Sequence, residues 1–359
     1  MKPIGLVIVI ALLLAGCGAF DRGEERAQTD ELILAIGGEP DDGFDPTVGW
    51  GRYGSPLFQS TLLKRDSELR IGFDLATDYS VSPDGLIWDV TLRDDVRFSD
   101  GEPLTARDVV FTFKTAAGSG SVVDLSFLAD VEAVGDDRVR FTLKEPRSTF
   151  VHTLATLGIV PAHAYDRRYA SQPIGSGPYR LVQWDRGQQL IVEANPYYYG
   201  EAPFFRRLTF LFLGEDAAFA AARAGQVDMA AIPAAFADRA KNTAGMRLLA
   251  FHSVDNRGIA FPVVADGGTT PEGRKIGNPV TADRAIRQAI NVAIDRQALV
   301  DGVLNGYGTP AYSANDALPW WNPETVIADG DADAARNILA EAGWEDRDGD
   351  GIVEKGALR

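Results

Sequence analysis

The stretch that most constrains how this chain can fold runs from Leu86 to Ala117. Leu86, Trp88, Val90 and Leu92 alternate with Asp89, Thr91 and Arg93, the pattern of a strand buried on one face. Val96 and Phe98 form a short apolar arm, and Asp100-Gly101 supplies a turn. Thr105 then opens a helix, with Asp108 three residues on in capping-box position. Val109, Phe113, Ala116 and Ala117 fall on one face of that helix. The stretch therefore reads as a strand, an arm, a turn and a helix that packs back, with no nucleophile, metal cluster or phosphate loop.

The rest of the chain extends this into an α/β pattern. Leu32 to Ile36 is a short apolar strand. Val131 to Val134 and Val139 to Leu143 read as a hairpin, and Tyr179 to Trp184 and Leu190 to Glu193 as another around Asp185-Arg186-Gly187. Thr149 to Leu157 reads as a helix. A strand from Leu208 to Leu213, a helix from Glu215 to Ala224 and a strand over Val227 to Ala230 indicate a mixed sheet covered by helices. Leu248 to Phe251 leads into Ser253 to Ile259. Thr281 is expected to cap a helix with Ile286, Ala289, Ile290, Ala293 and Ile294 on one face. Further helices follow over Asp295 to Leu304 and Asp331 to Ala342. Gly175-Ser176-Gly177 is no phosphate loop, because no Lys-Ser/Thr and no helix follow it.

Charge and the N-terminus narrow the function. A formal net charge of −16 disfavours nucleic acid and electrostatic adhesion to anionic lipid. Lys2 precedes an apolar run, Ile4 to Leu14, too short to span a bilayer and suited to the core of a signal peptide. The run ends in Leu14-Ala15-Gly16-Cys17, which resembles a bacterial lipobox cleaved before a lipid-modified Cys17. Cys17 is the only cysteine, so no intramolecular disulfide can form. Gly18 to Asp30 is polar and aperiodic, a tether. His152, His163 and His252 stand at no metal-ligand spacing. There is no G-x-S-x-G, no H-E-x-x-H and no further cysteine to act as nucleophile. These features favour a binding protein over an enzyme.

The segment LRDDVRFSDGEPLTARDVVFTF closely resembles the hallmark of the family 5 extracellular solute-binding proteins, the peptide- and nickel-type receptors of ABC importers. Asp45-Pro46, Ile159-Val160-Pro161 with His163, Gly175-Ser176-Gly177-Pro178-Tyr179, Asn195 to Gly200 and the stretch Ala285 to Ala311 resemble further steps of the same family. The resemblance implies an α/β, periplasmic-binding-protein-like two-lobe fold, with a small α+β domain inserted in the first lobe and a second lobe that is incomplete. The expected organisation is a signal peptide over 1–16 and a lipid-anchored tether over 17–30. A first lobe follows over 31–65 and 176–262, with an inserted domain over 66–175 and the start of a second lobe over 263–359. Family members continue further, so a truncated reading frame is expected, with residues 275–359 mobile and ligand affinity poor. The resemblance also implies a monomer that needs no cofactor. It would capture a peptide or other small solute between its lobes and deliver it to the transmembrane subunits of an ABC permease. A nickel-chelate receptor and a sensor lipoprotein on the same fold are the alternatives.

Several residues stand out as candidate ligand contacts. In Gly49-Trp50-Gly51-Arg52-Tyr53-Gly54, three glycines free the backbone while Trp50 and Tyr53 project flat faces. The pair suits a ligand wall or a plug beneath the loop. Asn256 occupies the place of an Asn in an Asn-Thr pair that the family carries on a strand near the crossing between lobes. Arg257 replaces the Thr, either to clamp a carboxylate or to pair with Asp255. Tyr312, Trp320 and Trp321 lie in a loop-rich segment and are offered as aromatic platforms, the Trp50 loop and the tryptophan pair being expected to serve one cleft. Asp346, Asp348 and Asp350 imitate the start of a calcium loop, but its twelfth position is Ala357, so an ordinary turn is expected and no metal.

Overall fold

The computed structural model describes residues 30–54, 57–120, 122–251, 253–316, 318 and 320–359. The signal segment, Cys17, all but the last residue of the tether, and His252 lie outside the described residues. The chain divides into two compact units, one ending at Ala231 and one running from Ile232 to Arg359, whereas the sequence placed the change of lobe at 262.

The first unit holds two main sheets. β1 (Glu31–Ile36) pairs in parallel with β10 (Arg207–Phe212) on one side and with β11 (Met229–Ala230) on the other. β9 (Gln189–Ala194) and β8 (Tyr179–Asp185) continue the sheet antiparallel, giving the order β11-β1-β10-β9-β8. Ala218 and Ala221 of a helix over Glu215–Arg223 pack on Ala35 and Val227; small side chains let the helix approach closely.

The second sheet carries the stretch read first. β4 (Ala76–Val81), β5 (Ile87–Leu92), β7 (Arg138–Leu143) and β6 (Leu128–Ala133) form an antiparallel sheet in the order β4-β5-β7-β6. Trp88, Val90 and Leu92 point inward as the alternation requires. α1 (Ala106–Gly118) lays Val109, Phe113 and Ala116 onto that face, all buried. Phe113 meets Phe141 edge-on at 4.7 Å, and Phe150 packs on Trp88 and Phe141 at 5.3 Å each. The capping box forms: the Thr105 backbone N–H donates to Asp108 Oδ2 at 2.9 Å. Asp108 Oδ1 also accepts from the Ala162 N–H at 3.0 Å, tying the helix start to a distant loop. β2 (Leu63–Arg65) and β3 (Ile71–Phe73) make a small ribbon beside it.

Gly175 and Gly177 join the two sheets by close backbone approach. A Cβ on Gly175 would stand 2.0 Å from the Phe58 carbonyl oxygen, and one on Gly177 would stand 2.8 Å from that of Leu57. The glycine-rich step is therefore a packing device that leads into β8, not an anion cradle.

In the second unit α5 (Pro279–Ala282) precedes α6 (Arg284–Ala293), α7 (Arg296–Leu304) and α8 (Ala332–Glu341), and α6 packs on α8. Two short helices complete the numbering: α2 (Phe150–Leu154) and α4 (Ala237–Lys241), with α3 the helix over Glu215–Arg223. Ile286 and Ala289 are buried, whereas Ala293, at the frayed end, is exposed.

Three local expectations are corrected. α2 stops at Leu154, because the chain must turn so that the Ile159 N–H can reach the Ser60 carbonyl at 2.9 Å. The α6 cap is Asp283 rather than Thr281, with Asp283 Oδ1 accepting from the Ala285 N–H at 2.9 Å. Thr281 sits inside α5, which Asn278 caps. The strand that the resemblance implies around Asn256 and Arg257 does not form; Phe251 just before it is 79% exposed, and among the described residues no neighbouring strand pairs with the segment. No helix among the described residues is long and apolar enough to cross a membrane.

Candidate functional site

The site in the first unit is built on a rigid turn. Asp45, itself buried, accepts from the Thr47 N–H and hydroxyl through Oδ1, both at 2.9 Å. Its Oδ2 accepts from the Tyr165 hydroxyl at 2.7 Å. Burial, with the Asp45 carboxylate beside it, pushes the Tyr165 phenol up to about 12. These bonds hold Pro46–Val48 in one turn of 3₁₀ helix and aim the glycine-aromatic loop. Gly49, at φ +116°, lets that loop run against Val122; a Cβ there would stand 2.6 Å from Val122 Cγ2.

The two aromatics of the loop separate. Trp50 packs edge-on against Phe44, with ring centroids 4.8 Å apart, and Phe44 also meets Phe58 and Trp184. Tyr53 is 84% exposed and lies under the Arg52 guanidinium, whose Nη2 donates to its hydroxyl at 2.9 Å.

Trp50, Arg52 and Pro46 form one wall of a depression of about 220 Å³. Val122, Val123 and Asp124, which follow α1, form a second wall. Thr153, Thr156 and Leu157, at the end of α2, close it. Arg52 forms no ion pair among the described residues, with Asp124 or any other carboxylate. Hydrogen bonds from the Ser126 side chain and backbone hold Asp124 below the usual carboxylate range. Nearby, burial and then the Arg65 charge lower the His152 pKa, so its imidazole is neutral at pH 7. The result is a hollow of mixed lining, with apolar surface from Trp50, Val123 and Leu157, hydroxyls from Thr153 and Thr156, and a cation and an anion on different walls.

The remaining candidates lie in the second unit. Asn256 Nδ2 donates to the Ser313 carbonyl at 2.6 Å. Asp316 accepts from the Tyr312 and Ser313 backbone N–H groups at 2.8 and 2.9 Å. Burial acts to raise Asp316, but hydrogen bonds from Ser313, Tyr312 and Trp321 outweigh it and the pKa falls. Trp321 Nε1 donates to Thr325 Oγ1 at 3.1 Å, and Arg296 stacks over the Tyr312 ring at 4.8 Å. Asn256, Tyr312 and Trp321 thus gather on one turn and fix it. Arg257 is exposed and makes no ion pair with Asp255 or another carboxylate among the described residues, and Trp320 is 59% exposed. Asp346, Asp348 and Asp350 do converge, but their carboxylates accept from the backbone of their own turn and from Arg359.

Of the first depression, the sequence singled out Trp50 alone. Arg52 stood in the same quoted loop, hidden by its aromatic neighbours. Asp124, Thr153 and Thr156 carry no local signal, because only tertiary folding brings their segments together.

The first unit thus combines a mixed α/β fold with a lined hollow. Residues 71–358 match the model for bacterial extracellular solute-binding proteins, family 5, and the chain belongs to that family, one of solute binders rather than enzymes. Among its relatives are Protein XP55 of Streptomyces lividans, 34% identical over 90% of this chain and 59% of that protein, and the oligopeptide-binding protein AppA of Bacillus subtilis, 28% identical over 99% of this chain and 68% of that protein. Among solved structures, NikZ from Campylobacter jejuni in complex with Ni(L-His) superposes with a TM-score of 0.79 at 27% identity, covering 91% of this chain and 65% of NikZ. AppA of Bacillus subtilis in complex with a nonapeptide gives 0.70 at 27% identity, over 92% of this chain and 67% of that one. The chain thus spans roughly three fifths to two thirds of the length of these proteins.

Proposed function

We propose that the protein is the solute receptor of an ABC importer, a lipoprotein held at the cell envelope through Cys17 that binds a peptide-like solute and delivers it to a membrane permease. The observation that carries this is the hollow beside Trp50, whose aromatic and aliphatic walls and a guanidinium with no ion pair among the described residues are the features of a small-molecule site. Trp50, Arg52, Asp124, Thr153 and Thr156 are its proposed contacts, and the exposed Arg257 and Trp320 of the second unit are a second proposed set. AppA's nonapeptide supports a peptide as the solute class. The higher TM-score to NikZ, solved with Ni(L-His), favours a nickel chelate as the second reading.

Mass spectrometry of small molecules released from the purified, denatured protein tests both. A peptide or amino acid supports the first reading, and nickel released with a chelating ligand supports the second. For the anchor, Cys17→Ser should move the protein from the membrane to the soluble fraction; retention after carbonate washing would remove the lipid from the proposal.

A further inference from the structure

The hollow beside Trp50 is small, and its walls carry both signs of charge. About 220 Å³ is less than the roughly 300–1,000 Å³ of sites that enclose drug-sized ligands. It corresponds to about seven water molecules at about 30 Å³ each. A hollow of this size seats a group the size of one amino acid. The floor of Trp50, Val123 and Leu157 is apolar and favours an aliphatic body.

The charges restrict the occupant further. Arg52 on one wall pairs with no carboxylate among the described residues; its guanidinium lies over the Tyr53 ring and donates to the Tyr53 hydroxyl. Asp124 on another wall accepts from the Ser126 backbone at 2.9 Å and from its side chain, feels the Arg147 charge at longer range, and forms no ion pair among the described residues. An anion seated here would face Asp124, a cation would face Arg52, and a neutral apolar group would leave both unused. A ligand carrying both charges satisfies both walls at once. We propose that the hollow selects a compact aliphatic zwitterion, one free amino acid in size, with Arg52 binding its carboxylate and Asp124 its ammonium group. This rests on reading the hollow as the solute site.

The test is calorimetric titration of the full chain with L-leucine, with leucinamide, which lacks the carboxylate, and with N-acetyl-L-leucine, which lacks the ammonium. L-leucine should bind more tightly than either analogue. Arg52→Gln should weaken L-leucine roughly tenfold or more and should not weaken leucinamide, whose ammonium it no longer repels. Asp124→Asn should do the same to L-leucine and should not weaken N-acetyl-L-leucine, whose carboxylate it no longer repels. Failure of L-leucine to bind at millimolar concentration, or affinities unmoved by both substitutions, would overturn the proposal. Thr156→Trp, which fills the hollow, separates this from the reading beneath it. If that variant keeps a native circular dichroism spectrum and still carries the co-purifying solute, the hollow is not the site and both ideas fall. If the solute is lost while L-leucine never bound, only the zwitterion falls.

Discussion

At the scale of single residues, the loop that bears Trp50 owes its position to one buried carboxylate. Asp45 is satisfied by Thr47 and Tyr165, and Tyr165→Phe would leave Oδ2 without its donor. An unmet buried acceptor of this kind costs about 1–3 kcal/mol, so the variant should unfold at lower urea and bind its solute less tightly. An unchanged midpoint and affinity would show that the loop is held by other means. The Tyr165 phenol is raised from 10.0 to about 12 in the folded state. Its contribution is therefore complete below pH 10 and is lost as pH rises through about 12. Burial also raises the phenols of Tyr169, Tyr199, Tyr179 and Tyr198, so an ultraviolet titration of tyrosinate should show several phenols that ionise late, and Tyr165→Phe should remove the one near pH 12. Trp50 was legible in the sequence as a large face among glycines. Its role was not, because packing on Phe44 and facing a hollow are consequences of where Phe44 and Val122 lie in space.

At the scale of elements, legibility followed the range of the forces involved. The strand and helix between Leu86 and Ala117 were readable because alternation, helical spacing and a capping box are local. The strand that the resemblance implies around Asn256 and Arg257 does not form, since a strand exists only where another backbone answers its hydrogen bonds. The start of α6 was misplaced because Asn278-Pro279 begins a helical turn of its own ahead of Asp283. Phe113 is fully buried against Phe141 and Phe150, so Phe113→Ala should destabilise the first unit by about 3–5 kcal/mol. Calorimetry would check this, and a loss under about 1 kcal/mol would mean that the aromatic cluster can collapse around the gap. Asp283 answers to pH. Hydrogen bonds from Lys355, the Ala285 N–H and Trp344 lower its pKa from 3.8 to about 2. Its stabilisation is present above 3.8 and disappears as pH falls through about 2. Trp344 is buried, and its indole donates to Asp283 at 3.0 Å, so tryptophan fluorescence should report that acid step. Asp283→Asn should lack it; an identical acid profile in the variant would count against the assignment.

At the scale of the molecule, each unit has its own packing, and the segment running from Leu249 to Val264 offers the most accessible backbone. Leu249, Phe251, Val254, Ile259, Val263 and Val264 are all exposed, and the described residues of the stretch form no helix or strand. Brief trypsin treatment should therefore cut first after Arg257, leaving fragments that end and begin at Arg257-Gly258. A first cut within Ala106–Gly118 instead would show that α1 opens more readily than this segment. The family was legible from short motifs, because turns and caps demand particular residues at particular spacings. The solute was not, because the residues that line the hollow come from three separate segments and share no motif.

The parallel pairing of β1 with β10 has a consequence for the newborn chain. Glu31 pairs with Arg207, and Ile36 with Phe212, so β1 is made first and its main partner comes only after the whole second sheet and the hairpin β8–β9. Until then its apolar strand is an unpaired edge, the kind of surface on which chains aggregate. The second sheet, with neighbours close in sequence, has no such wait. During refolding, pulsed hydrogen exchange should therefore protect β5 and β7 before β1, and a chaperone that holds the growing chain would find its binding segment at Leu32 to Ile36. Simultaneous protection of all three strands would mean that the molecule folds in a single step despite its topology.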